Sequence, residues 1–258
     1  MSDHEGRRYA IVGGTSGMGF AAARCLAEEG ARVVLIGRDR DRAAAVARTL
    51  GPLAAGDGVA EGGAGAAVDR AARTMGGLDG LAVTAGPINS HGTVADLTDD
   101  QWAESFDTQL MTVVRSLRAA IPLLQANGGG SIVTTAAYSM RAQKNWLPHY
   151  TAMKSAIASV TKNVAKSFGA DGIRANCIAP GAVASEALDC TKAEAAELYG
   201  LPPGEALNRY MKERWGMNVA LGRVGEPPEV GELIAFLLSG RAAYMTGALI
   251  NIDGGTDF

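Results

Sequence analysis

Strong charge of either sign is missing from this chain. Against 24 Lys and Arg stand 27 Asp and Glu, a net charge of -3 over 258 residues. No field of that size draws a protein towards nucleic acid or an anionic membrane, and no basic partner surface is indicated. Cysteine is scarce too. Cys25, Cys177 and Cys190 are odd in number and far apart, which excludes a disulfide framework and a metal-ligand cluster, so no metal is expected and a reducing compartment fits. Long apolar runs are also absent: no segment approaches the roughly eighteen residues of a membrane span. Met1 to Arg8 is polar and charged, without the apolar core of a signal peptide. A cytoplasmic protein without membrane or nucleic-acid partners is the expectation. What is present is 47% hydrophobic residues and 20% charged ones, enough to bury a substantial core in one large α/β domain or two small ones.

The order of segments favours one domain. Tyr9 to Val12 is a short apolar run, stopped by Gly13-Gly14-Thr15-Ser16-Gly17-Met18-Gly19 and followed by a helical pattern from Ala21 to Glu29. Strand, glycine turn and helix in that order form a site for a pyrophosphate, which the backbone can approach closely and which the helix N-terminus attracts. Cys25 falls on the apolar side of that helix, as packing. Arg32 to Ile36 is a second buried strand, ending at Gly37-Arg38-Asp39-Arg40. An acidic residue at that end would accept from a ribose 2'-hydroxyl, whereas a guanidinium holds a 2'-phosphate, so Arg38 points to NADP, with the neighbouring Asp39 tempering the preference. Arg40 to Leu50 reads as helix; the third strand is placed near Leu53 to Ala55, and Asp57 faces the adenine or serves a turn. Helix from Ala66 to Met75, strand Leu81 to Thr84, a long helix from Asp99 to Leu124 broken or capped near Pro122, and strand Ser131 to Thr135 follow. Further on come a helix to about Phe168, strand Ile173 to Ala179, helix Glu229 to Leu238 and strand Ala248 to Ile252. This alternation predicts a doubly wound α/β fold with a seven-stranded parallel sheet and helices on both faces, a single domain over residues 1–258.

Tyr150 and Lys154 stand four residues apart on a predicted helix, so a phenol and an ammonium share one face. A phenol titrates near pH ~10, and a neighbouring cation stabilises its anion, which suits proton transfer.

Taken together, these pieces resemble the short-chain dehydrogenase/reductase family over nearly the whole chain. Gly13, Gly17 and Gly19 match its cofactor loop, with Val12 where threonine is usual; Val83-Thr84-Ala85-Gly86 corresponds to its Asn-Asn-Ala-Gly turn; Tyr150 and Lys154 match its YxxxK pair; Pro180-Gly181 and Asp253-Gly254-Gly255 match later loops. The resemblance implies a Rossmann fold that binds NADP through Gly13, Thr15, Ser16, Gly17, Met18, Gly19, Arg38, Asp57, Ala85, Gly86, Tyr150, Lys154, Pro180, Gly181 and Val183. It implies hydride transfer to a small-molecule substrate, with Tyr150 as proton donor and Lys154 holding the nicotinamide ribose and lowering the tyrosine pKa. A homo-oligomer, tetramer or dimer, is implied as well, with the Asp99 and Tyr150 helices at one interface.

Two positions depart from the family. Its serine aligns with Ala137 and its asparagine with Gln109. Losing one donor to a developing oxyanion typically costs about 100- to 1000-fold, so either Ser139 or Tyr138 takes the role or the substrate has no need of it. A protonated imine already carries its charge and develops no oxyanion. The expected activity is therefore NADPH-dependent reduction of C=O or C=N, with C=C reduction or a catalytically weakened NADP-binding sensor or scaffold as alternatives. The connection over residues 185–223 carries Leu188, Tyr199, Leu201, Met211, Trp215 and Met217. It reads equally as an apolar cover for a bulky substrate and as the small core of a two-helix excursion. Trp146 and His149 precede Tyr150, and His149 reads as a loop histidine without a proton role.

Overall fold

The computed structural model describes residues 2–60 and 62–256, apart from the side chain of Ala187. Seven parallel strands form one sheet: β1 (Arg8–Val12), β2 (Arg32–Gly37), β3 (Ala54–Gly58), β4 (Gly80–Val83), β5 (Gly130–Thr135), β6 (Ile173–Pro180) and β7 (Leu249–Ile252). They lie in the order β3-β2-β1-β4-β5-β6-β7. The chain leaves β1 in one direction and returns past it to β4, so the sheet reverses its winding between those two strands and opens a crevice at their carboxyl ends.

Alternate residues of the buried strands feed two cores. Ala10 and Val12 face the layer formed by α3 (Gly63–Met75), α5 (Thr112–Ala126) and α6 (Pro148–Phe168). Tyr9 and Ile11 face the layer formed by α1 (Gly17–Glu28), α2 (Arg40–Arg48) and α9 (Pro227–Leu238). Each fully buried aliphatic side chain in these layers contributes about 1.5–3 kcal/mol, and the two-sided burial explains why the strands read as continuous apolar runs. The three cysteines are free.

Two elements differ from the sequence reading. The third strand starts one residue later than expected and runs on to Gly58; it contains no β-branched residue, and a Cβ on Gly56 would run into the backbone of Ala43, so packing against α2 rather than strand propensity shapes it. The long helix is not interrupted at Pro122, which lies exposed inside α5. Its irregularity falls earlier, in a π-helical stretch, Phe106–Met111, between α4 (Asp99–Ser105) and α5. The connection over residues 185–223 contains α7 (Asp189–Tyr199) and α8 (Pro203–Trp215), whose Leu207 and Met211 pack with Met217, Val224 and Tyr138 as a third, smaller core.

Candidate active site

At the carboxyl end of β1 the chain turns through Gly13, at φ +86°, where a Cβ would stand 2.7 Å from the Ala85 amide nitrogen. At Gly19 a Cβ would overlap the Gly13 carbonyl and the Thr84 hydroxyl. Thr84 donates towards both the Val12 and Gly13 carbonyls, at 3.2 Å each, tying the end of β4 to the glycine turn. Gly17, at φ +53°, begins α1, and Ser16 makes no side-chain cap. The first-turn amides of α1 therefore face the crevice without a capping acceptor or an acidic side chain, which is the donor set a pyrophosphate requires. Thr15 lies over Gly37 at the end of β2, and Met18 turns its side chain towards the α1–α9 core. The residues present fit a dinucleotide.

Arg38 is exposed beyond β2. Asp39, which tempered the reading of Arg38, is the N-cap of α2 and accepts from the amides of Asp41 and Arg42 at 2.8 and 3.0 Å. Its carboxylate is engaged at the helix terminus. Asp57 is buried at the end of β3, accepting from Arg70 Nε and the Gly58 amide, each at 2.8 Å. The carboxylate is thus already paired with a cation at the end of β3. Ala85 and Gly86 follow β4 in the floor of the crevice, and a Cβ on Gly86 would collide with the Gln109 side chain and lie 3.1 Å from Lys154 Nζ. Pro180 ends β6; Gly181 packs against Asp253, so a Cβ there would lie 2.8 Å from the Asp253 Cα. Val183 is buried and bridges to Gly225. Arg42 on α2 meets Glu186, beyond β6, at 2.9 Å, a contact that sequence spacing does not show.

Tyr150 and Lys154 lie one turn apart on α6, with the ammonium 5.3 Å from the phenol ring centre. Lys154 is buried and donates to the Thr135 carbonyl at 3.1 Å. Burial pulls its pKa down to about 8, partly opposed by the neighbouring Cys177. Tyr150 is pushed above its ordinary value by burial and by the adjacent Tyr138 phenol. The expected lowering of the tyrosine by Lys154 is not found in the chain by itself, because burial penalises the phenolate. The phenol is held in its proton-bearing form.

Ala137 is buried at the end of β5, and it brings no donor. Ser139 is engaged elsewhere: its hydroxyl oxygen accepts from Thr151 at 3.1 Å, inside the protein. Tyr138 packs its ring against the small core beneath α8, and burial pushes its hydroxyl up to about 12. Gln109 is 1% exposed within the π-helical stretch and donates its amide to the Pro87 carbonyl, while its Oε1 has no partner among the described residues. Thr135 Oγ1 and His149 Nδ1 are likewise buried without partners. An unmet polar group of this kind costs about 1–3 kcal/mol, and three of them surround the Tyr150–Lys154 pair. His149 is not a loop residue. It stands in the first turn of α6, 2% exposed, with Nε2 3.0 Å from Ser90 Oγ. Helical spacing about Pro148 was the available signal; what hid His149 was that its partner lies 59 residues away.

Over the crevice, Trp146 stacks on His91 with ring centres 5.3 Å apart and approaches Trp215 of α8 at 6.1 Å. Met211 and Met217 are consumed in the small core, on which Leu188 and Trp215 pack. Tyr199 instead pairs with Glu213 and Arg209 between α7 and α8. The excursion has its own core, and its Trp215 meets Trp146 in the loop in front of Tyr150.

A family model described as enoyl-(acyl carrier protein) reductase matches residues 12–257. The chain is 31% identical to the cis-4-hydroxycyclohexanecarboxylate dehydrogenase of Sinomonas cyclohexanicum, over 99% of this chain and 98% of that one. It is 32% identical to the 3-alpha-(or 20-beta)-hydroxysteroid dehydrogenase of Mycobacterium bovis, over 97% and 89%. Among solved structures, L-sorbose reductase from Gluconobacter frateurii, complexed with NADPH and L-sorbose, superposes with a TM-score of 0.88 at 30% identity, covering 99% of this chain and 98% of that one.

Proposed function

The chain belongs to the short-chain dehydrogenase/reductase family of oxidoreductases, and from that membership we propose that it is an NADPH-dependent reductase of a polar double bond, C=O or C=N, in a small and largely apolar molecule. The observation that carries this reading is the half-buried phenol of Tyr150, with the Lys154 ammonium 5.3 Å from its ring centre and anchored on the Thr135 carbonyl at the carboxyl end of β5. A nicotinamide cofactor supplies the hydride when bound. The amides of the Gly13 to Gly19 turn and of the first turn of α1 would hold its pyrophosphate, and Arg38 its 2'-phosphate. Lys154, Ala85, Gly86, Pro180, Gly181 and Val183 would surround its nicotinamide end. Support for NADP over NAD comes from Asp39, whose carboxylate is spent on capping α2, and from the NADPH in the L-sorbose reductase structure.

Tyr150 gives the proton of its hydroxyl to the oxygen or nitrogen of the substrate while the adjoining carbon accepts hydride. Lys154, anchored on the Thr135 carbonyl, supports the negative charge left on the phenol oxygen. Ala137 offers no donor to a developing oxyanion, which favours an imine that arrives neutral, takes the Tyr150 proton on its nitrogen as hydride reaches its carbon, and so develops no oxyanion. The rings of Trp146 and Trp215 supply an apolar side to the crevice, and the excursion carrying Trp215 would cover the bound substrate. Exposed Phe106, beside α4, fits an interface in a homo-oligomer.

The test is a panel of ketones, cyclic imines and enones mixed with NADPH or NADH while cofactor absorbance is followed. Oxidation of NADPH by a ketone or an imine is the expected result. Turnover of enones alone would make the protein an enoyl reductase, and cofactor binding without any turnover would make it a sensor or scaffold.

A further inference from the structure

The connection that leaves β6 does not stay beside that strand. β6 ends at Pro180, and a few residues later Glu186 Oε2 meets Arg42 Nη2, in the first turn of α2, at 2.9 Å. In the sheet β6 and β2 are four places apart, with β5, β4 and β1 between them, so at about 4.8 Å per strand the segment and its ion pair together span about 19 Å. These strands are parallel and α2 follows β2, so both ends of the span lie on the carboxyl side of the sheet. The route therefore passes over the ends of β4 and β1, where the crevice opens. A second contact marks the same path. A Cβ built on Gly17 would stand 3.2 Å from the Ser185 Cβ, so residues 184–188 lie as a strap against the glycine turn.

The strap is held differently at its two ends. At its base Val183 pairs with Gly225 in a parallel bridge, and the Ala184 amide donates to the Gly225 carbonyl at 2.8 Å. At the far end the anchor is the Arg42–Glu186 pair, whose side chains are 56% and 62% exposed. Neighbouring charges are engaged elsewhere: Arg40 lies 3.7 Å from Asp57, and Lys192 lies 2.9 Å from Asp189. An ion pair so exposed contributes little, so it closes the strap without locking it.

We propose that Arg42 and Glu186 are positioning residues for the cofactor: their pair is a clasp that holds the strap over the glycine turn and slows the release of a dinucleotide bound there. This inference rests on the reading that the turn binds a nicotinamide dinucleotide. The clasp acts on retention, because the strap must open before the dinucleotide can leave and opens more often once the pair is broken. It serves NADPH and NADH alike, since the pair holds the strap and not the 2'-phosphate.

Two measurements on the full chain test this. Without cofactor, hydrogen exchange read by mass spectrometry is expected to quicken about fivefold across residues 184–192 in Arg42→Glu and in Glu186→Arg, the upper end for an exposed pair, and to return to the wild-type rate when both substitutions are combined. Unchanged exchange in both single variants overturns the clasp. For release, NADPH or NADH is bound and then chased while cofactor fluorescence is followed by stopped flow. Both cofactors should leave each single variant about fivefold faster than wild type, and the combined variant should restore slow release. Faster loss of NADPH alone, and from Arg42→Glu alone, would mark a direct contact with the 2'-phosphate and overturn the clasp. Release indifferent to all the variants overturns it as well and leaves the reductase reading standing. If neither cofactor binds the wild type, the reading fails and the clasp with it.

Discussion

The two ends of the crevice are built from different materials. Around Gly13, Gly17 and Gly19 the end proposed for the cofactor is backbone: its close approaches admit no Cβ, its helix terminus offers bare amides, and Thr84 fastens the turn to β4. Around Tyr150 the chemistry end is side chain. There Lys154 is buried on a carbonyl, Ala137 brings no donor, and Gln109, Thr135 and His149 each leave a buried polar atom unmet. A backbone site tolerates one residue type per position and is the same for every dinucleotide. A side-chain site carries its specificity in which groups are satisfied and which are left open, so the second region holds what distinguishes this protein within its family.

That contrast is sharpest in the largest expected effect. Lys154→Met should lower kcat by about 1000-fold, because it removes the cation beside the phenol. The same variant tests the electrostatics through stability. In the folded chain Lys154 titrates near about 8 rather than its ordinary 10.5, so between those values the unfolded chain binds more protons and the contribution of this group to stability rises with pH. Urea titrations across that window should show the rise in wild type and lose it in Lys154→Met.

Gly19→Val comes next. Its branched Cβ would overlap the Gly13 carbonyl, and NADPH affinity measured by calorimetry should fall by about 100-fold, equivalent to about 2.7 kcal/mol. Near-normal affinity would show that the backbone end yields more readily than its packing indicates. Arg38→Ala should then cut the preference for NADPH over NADH by about 10-fold in kcat/KM, with NADH turnover unchanged, as expected for a guanidinium that meets only the 2'-phosphate.

These expectations follow the line between what could and could not be read from the sequence. The glycine turn, the strand and helix order and the Tyr150–Lys154 spacing were legible because each is a local pattern with a local cause. The third strand was misplaced by one residue at its start because Gly56 is fitted to α2, a contact that spacing does not reveal. The break in the long helix was placed at Pro122 because proline is a local signal, whereas the π-helical turn turns Gln109 inward against Pro87 and has no residue signature. His149 reads as a loop residue because it points away from Tyr150 on the turn, and no local pattern shows that it packs against Ser90 of a different strand-to-helix connection. The direction of the Tyr150 pKa also depended on burial, which residue spacing alone does not set.

The smallest expected effect concerns the missing hydroxyl. Ala137→Ser should change cyclic-imine turnover by less than about threefold, although removing an oxyanion donor where one is needed costs about 100- to 1000-fold. A gain of that larger size would show that the chemistry end lacks a group it requires, and would make carbonyl reduction the reaction to pursue.

The most direct test of the account is single-turnover reduction by NADPH-loaded wild type and Tyr150→Phe across the ketone and imine panel, with cofactor affinity measured in parallel. Loss of reduction by about 1000-fold at unchanged NADPH affinity is the predicted result. Undiminished reduction of every accepted substrate by Tyr150→Phe would contradict it and remove the phenol from the mechanism.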